Sequence, residues 1–174
     1  MHANHHTLTF QLPAEAATLA LGAALAPGLA PGMVVYLDGD LGAGKTTLVR
    51  GLMRTLGEAG PVKSPTYALV EVHVVSGLNL YHFDFYRFNQ PEEYLDAGLD
   101  EYFSGDGICL VEWPERAAPY LPPWDLHIRL SVAGDGHGRE ALVEAASERG
   151  RQCLSALASF PSPAATSSSS PPPA

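Results

Sequence analysis

The stretch Gly39 to Thr46 reads GDLGAGKT. It fits the pattern G-x-x-x-x-G-K-[ST], and it stands where an apolar run ends and a helix-like pattern begins. Gly39, Gly42 and Gly44 let the backbone take positive φ and come close to a ligand. The amide groups of Leu41, Gly42, Ala43, Gly44, Lys45 and Thr46 then face one concavity. They include the unpaired donors of a helix N-terminus, which favour an anion. Lys45 offers an ammonium to the β- and γ-phosphates, the Thr46 hydroxyl offers a ligand to Mg²⁺, and Thr47 helps the helix start. A glycine-rich turn with an incidental lysine would share the letters but not the strand before and the helix after. The expected ligand is a nucleoside triphosphate with Mg²⁺.

Such a loop needs an acid for the metal and a group that orients water. Two strand-like runs end in acids: LNLYHFD at Asp84 and ICLVE at Glu112. Either carboxylate could hold Mg²⁺, the other acting through water or polarising it. Asp84 could instead be a surface acid paired with Arg87. Glu112 follows four buried-type residues and needs a partner to be tolerated there. No Asn-Lys-x-Asp stretch reads a guanine edge, so adenine is the better expectation. The Arg residues after Lys63 are spread out, unlike the basic lid of a phosphoacceptor kinase.

The elements that must position these groups are legible in outline. Thr7–Leu12 reads as a strand. A helix starts near Pro13, with Glu15 at its positive dipole end, and runs to about Leu25. Met33–Leu37 is a buried strand, and Thr46–Leu56 a helix with Leu48, Val49, Leu52, Met53 and Leu56 on one stripe. Ala68–Val75 and Leu78–Tyr86 read as strands around a Ser-Gly turn. Pro91–Ala97 is a short helix, Ile108–Val111 a second buried strand, and PERAAPYLPP a turn of helix between prolines. Asp125–Val132 and Ala141–Ala145 form a last antiparallel pair. Ser147–Phe160 is a weak helix. The expected fold class is α/β: a P-loop NTPase-like mixed sheet, parallel central strands flanked by antiparallel ones, with helices on both faces. One ATPase domain over residues 1–150 precedes a weak helix and an Ala/Ser/Pro-rich tail over 151–174, read as disordered.

The formal charge is −9, from 19 acids against 10 Lys plus Arg. Eight of those acids fall between Glu92 and Glu115 with no Lys or Arg among them. Such a surface is a poor grip for a phosphate backbone, so a nucleic-acid polymer would not be gripped directly. It is either a solvated face or a protein-docking surface. The two cysteines, Cys109 and Cys153, make no disulfide framework, and Cys109 reads as a small buried hydrophobe. His2, His5 and His6 read as solvated side chains rather than a metal cluster. With no signal peptide and no membrane-length apolar run, a cytoplasmic, membrane-free protein is expected.

Four stretches, in this order and at this spacing, resemble one family: GDLGAGKTTLVRG, VKSPTYALVE, LYHFDFYRF and CLVEWPER. They are similar to the bacterial TsaE (YjeE) ATPases of tRNA threonylcarbamoyladenosine biosynthesis, over about Leu12 to Ala145. The P-loop alone is shared by many ATPases, whereas SPTY, HFDFYR and EWPE together are specific. The resemblance implies a slow ATPase that works with a threonylcarbamoyl transferase and its inactive paralogue, modifying the adenosine beside the anticodon; with the charge, it implies that tRNA is met only indirectly. It implies a phosphate loop at Leu41–Thr46, with Lys45, Asp84 and Glu112 catalytic and Thr46 and Glu112 on the metal. It makes Ser64–Tyr67 a switch-like loop, the alternative being an ordinary Pro-containing turn into a strand. The same likeness puts Trp113 near the nucleotide, the alternative being core packing, and Glu15 at the adenine end, the alternative being a helix-dipole acid. Phe85 stands where the family more often has Leu. Two other readings of the same loop are a nucleotide-gated binding module and a small P-loop kinase.

Overall fold

The structure is a computed structural model and describes residues 6–160. The Ala/Ser/Pro-rich tail, with His2 and His5, lies outside the described residues. Seven strands form one sheet: β1 (His6–Leu12), β2 (Val34–Asp38), β3 (Val70–Val75), β4 (Leu78–Asp84), β5 (Ile108–Glu112), β6 (Leu126–Val132) and β7 (Arg139–Ala145). Their order is β1-β7-β6-β2-β5-β4-β3. The pairs β6–β2, β2–β5 and β5–β4 are parallel, and β1–β7, β7–β6 and β4–β3 are antiparallel. A parallel centre with antiparallel flanks is therefore the architecture. Among the described residues no helix is long and apolar enough to cross a membrane.

Strand parity decides what each face carries, because successive side chains point to opposite faces. Val35 and Leu37 of β2, Leu80 of β4, Ile108 and Leu110 of β5 and Ile128 of β6 join one core. That core is covered by α1 (Glu15–Leu25), α2 (Lys45–Leu56) and α4 (Glu148–Leu157). The opposite residues, Phe83, Cys109 and Val111, pack with Phe85, Phe88 and Tyr94 into a second, aromatic core. Its cover is slight: α3 (Glu93–Asp96) and single 3-10 turns at Leu99–Phe103 and Pro114–Arg116. Helices thus lie on both faces, but the long ones share one. Phe85 stacks on Phe88 with ring centroids 4.8 Å apart and is fully buried.

Element ends differ from the sequence reading for local reasons. β2 and β5 run one residue further, each ending on its acid, Asp38 and Glu112. β4 stops at Asp84 because that side chain accepts the amide of Tyr86 at 2.9 Å and turns the chain. α3 is short because Gly98, at φ 67°, takes the left-handed conformation just beyond it. α4 is more than a weak appendage. Ser147 caps it by accepting the Gly150 amide at 3.0 Å and donates to Asp125 at 2.6 Å. Asp125 in turn accepts the Val34 amide at 2.8 Å. Cys153, Leu154 and Leu157 are buried, so the packed core runs past residue 150. Both thiols are buried and free, with burial pushing Cys109 up to about 12 and Cys153 to about 11.

α1 and α2 cross through glycines. A Cβ on Gly51 would lie 2.1 Å from the Leu19 carbonyl oxygen, and one on Gly22 would lie 2.0 Å from that of Leu48. This contact fixes where the N-terminus of α2 points. Alanine at Gly51 would gain roughly 1 kcal/mol of helix propensity but would force two backbones apart, which costs about 3 kcal/mol, the upper end of the usual range for overpacking. Gly51→Ala is therefore expected to lower the unfolding free energy by about 2 kcal/mol in urea melts. An unchanged midpoint and slope would refute the close-crossing account.

Candidate active site

The site lies at the carboxyl ends of the parallel strands, where open α/β sheets place their ligands. β2 runs directly into the loop. Gly39, Gly42 and Gly44 have φ of 150°, 78° and 106°. Gly39 also needs to be bare, since a Cβ there would sit 2.5 Å from the Leu130 carbonyl oxygen. Lys45 opens α2, and the half-buried Thr46 follows it. Leu41 is exposed at the loop's tip. One amide of the cup is already engaged: Ala43 donates to the Asp40 carbonyl at 3.0 Å.

Lys45 is nearly buried. Its ammonium donates to the Gly39 carbonyl and lies 3.9 Å from the centroid of the Trp113 ring. Burial pushes its pKa below the usual lysine value, against the opposing pull of Glu112, Asp84, Glu115 and Asp38. Trp113 has φ 57°, a left-handed conformation that a bulky residue holds only under constraint. It also packs on Tyr86 at 4.9 Å.

Asp84 and Glu112 are direct neighbours in the β4–β5 register. Their side chains fall on the α2 face, in line with Leu80 and with Ile108 and Leu110. Asp84 is 5% exposed and Glu112 2% exposed. One hydroxyl joins them: Ser64 donates within reach of both, to Asp84 Oδ2 and, at 2.9 Å, to Glu112 Oε2. Arg87 does not pair with Asp84 but lies over the Tyr67 ring, 4.2 Å from its centroid. Tyr67 itself is exposed.

Sequence reasoning missed four residues at this end of the sheet, two of them in the site. His82 is fully buried and its Nε2 lies 2.7 Å from Glu112 Oε2. Its position two residues before Asp84 was the available signal, since it puts both on one face. Arg139 reaches from β7 to the Gly42 carbonyl at 3.0 Å. Nothing in the sequence placed it there. Asp38 and His127 bond to one another on the opposite face of the sheet. Glu15, exposed in the first turn of α1, shares a cavity of about 210 Å³ with Thr18, Gly42, Gly44 and Arg139.

Two buried carboxylates meeting on one hydroxyl leave an excess of acceptors and negative charge. Hard oxygen donors of this kind fit Mg²⁺, which is usually held by one or two carboxylates plus phosphates and water. Among the described residues no group of three or more His, Cys, Asp or Glu forms a complete cation cage.

A family model described as threonylcarbamoyl adenosine biosynthesis protein TsaE matches residues 12–141. A Haemophilus influenzae protein named tRNA threonylcarbamoyladenosine biosynthesis protein TsaE is 43% identical over 125 residues, covering 72% of this chain and 78% of the relative. A Nostoc protein of the same name is 42% identical over 130 residues, with the same coverage of 72% and 78%. The crystal structure of Bacillus subtilis YdiB superposes with a TM-score of 0.76 at 34% identity, over 88% of this chain and 95% of that one. The phosphate-type loop, the strand-end acids and this breadth of likeness agree, and the chain belongs to the TsaE family.

Proposed function

We propose that this chain binds ATP with Mg²⁺ at Leu41–Thr46 and hydrolyses it slowly when alone. Hydrolysis supports a threonylcarbamoyl transferase and its inactive paralogue in modifying the adenosine beside the tRNA anticodon. The observation that carries the hydrolytic reading is the meeting of Asp84 and Glu112 on Ser64 within the electrostatic reach of Lys45. The pathway rests on the family and on the names of the relatives.

In this reading Lys45 exchanges the Gly39 carbonyl for a phosphate oxygen and balances the triphosphate charge. Thr46 and Glu112 would hold Mg²⁺, which would supply charge stabilisation at the terminal phosphate oxygens. Asp84 orients the attacking water and accepts its proton. His82 holds Glu112 in one rotamer, as outer partners of ligating carboxylates commonly do. Ser64 ties the SPTY loop to the two acids, so a change in what they bind is felt by the loop. The cavity at Glu15, Thr18 and Arg139 takes the adenosine end.

A kinase has less support, because the basic side chains that a lid would need are engaged elsewhere. Arg116 bonds the Phe88 carbonyl, Arg129 pairs with Glu144, and Arg151 with Glu148. Partner docking is assigned to the exposed acids Glu92, Asp96, Asp100 and Glu101. Glu112 is buried in the site and Glu93 accepts the Asn89 and Gln90 amides at 2.6 and 2.9 Å, so neither is free for docking.

Glu112→Gln and Asp84→Asn are each expected to lower phosphate release by about 100-fold while fluorescent ATP still binds within a few-fold of the parent affinity. Full turnover in either variant would remove that acid from the mechanism. His82→Leu is expected to raise the Mg²⁺ concentration for half-maximal turnover by about 10-fold; an unchanged Mg²⁺ dependence would leave His82 a packing residue. In a multiple-turnover assay with purified transferase, paralogue and tRNA, product beyond the first round should require this chain. Equal product without it would sink the pathway role and leave the nucleotide site standing.

A further inference from the structure

A second cavity, of about 330 Å³, opens on the face of the sheet opposite α2. That is within the usual range of ligand pockets, about 300–1,000 Å³. Its polar wall is Asp38, Glu115 and His127, and its apolar wall includes Leu121, Trp124 and the ring of Tyr36. The sequence reading gave none of these residues a role as a group.

The cavity is rich in acceptors. His127 Nε2 bonds Asp38, and in the neutral tautomer that donates there Nδ1 presents a lone pair. His127 is 9% exposed, and this buried Nδ1 has no hydrogen-bond partner among the described residues. The Tyr36 hydroxyl donates away from the cavity, to the Pro122 carbonyl. Desolvation and the Asp38 carboxylate push the Glu115 carboxyl above its usual range, while, against desolvation, the His127 hydrogen bond holds Asp38 below its own. Arg129 and Lys45 act on these acids through space but bond elsewhere: Arg129 reaches Glu144 at 3.2 Å, and the Lys45 ammonium donates to the Gly39 carbonyl and lies over the Trp113 ring.

A ligand for this cavity must bring donors and no acceptors, carry positive charge and tolerate an aromatic wall. A guanidinium on an aliphatic stem meets each condition: planar N–H groups for the carboxylates and Nδ1, a face for Trp124, and methylenes for Leu121, Pro114 and Pro119. The C-terminal residues 161–174 contain no Lys or Arg, so they cannot supply it. We propose that this cavity is a socket for an arginine side chain of a protein partner. Asp38 adjoins Gly39, and Glu115 stands three residues after Glu112, so the socket touches the segments that carry the nucleotide site.

The test uses the full chain without nucleotide, so it stands apart from the ATPase reading. Imidazole ¹⁵N spectra are followed while Ac-Gly-Arg-Gly-NH₂ or its citrulline counterpart is added. The expected result is a saturable shift of His127 Nδ1 with the arginine peptide and none with the neutral isostere. Asp38→Asn and Glu115→Gln should each weaken binding by at least about 10-fold, which is 1.4 kcal/mol, with far-UV circular dichroism unchanged. An equal response to citrulline, or no shift in the parent protein, overturns the socket. Saturation by free L-arginine or L-argininamide at a concentration at least about 10-fold below that of the peptide assigns the cavity to a small molecule and overturns the protein-partner assignment.

Discussion

Two carboxylates held side by side in a buried place are the constraint around which this molecule is built. Asp84 and Glu112 sit opposite one another in a parallel ladder, and both point to the face that carries α2. Burying two like charges together is costly unless donors and cations answer them. Here the answers come from Ser64, His82 and the neighbouring Lys45. Each answering group comes from a different part of the chain. The arrangement therefore exists only when the sheet, the loop before β3 and the start of α2 are all in place.

The scaffold meets that demand by stiffness. α2 crosses α1 at glycines, with the backbones close enough that no Cβ fits between them. The loop at Gly39–Gly44 is then the direct consequence of a strand that must turn sharply into a helix whose direction is already set. Trp113, held at φ 57°, sits over Lys45 and joins the end of β5 to the start of α2. The constrained Trp113 and the bare Gly39 both fall at the carboxyl ends of the parallel strands.

The two faces of the sheet divide the work. The α2 face holds the acids, the lysine and the loop. The other face has lighter cover and an aromatic core, and it holds the acceptor-rich cavity at Asp38, Glu115 and His127. Because β2 ends in Asp38 immediately before Gly39, the two faces meet at one turn of chain. The cavity on one face and the loop on the other therefore share the segment around Asp38 and Gly39. The net charge of −9 suits a protein whose partners bring the positive charge.

The sequence alone determined the elements and the loop. Periodicity of two or 3.6, glycines at the turn and prolines at helix starts act over a few residues, so they can be read without neighbours. Thus Met33–Leu37 and Ile108–Val111 read as strands, and Thr46–Leu56 as a helix, to within a residue or so. The two strand-end acids were legible for the same reason, as charges after apolar runs. Tertiary structure alone decided which side chains meet. His82 reads as one more residue of a strand until the β4–β5 register sets it beside Glu112. Arg139 reads as the start of a surface strand until β7 brings it to Gly42. Asp38 and His127 lie 89 positions apart and become partners only through parallel pairing of β2 and β6. Contacts across such distances depend on strand order and register, which are set by how the whole core closes, and no local pattern encodes them.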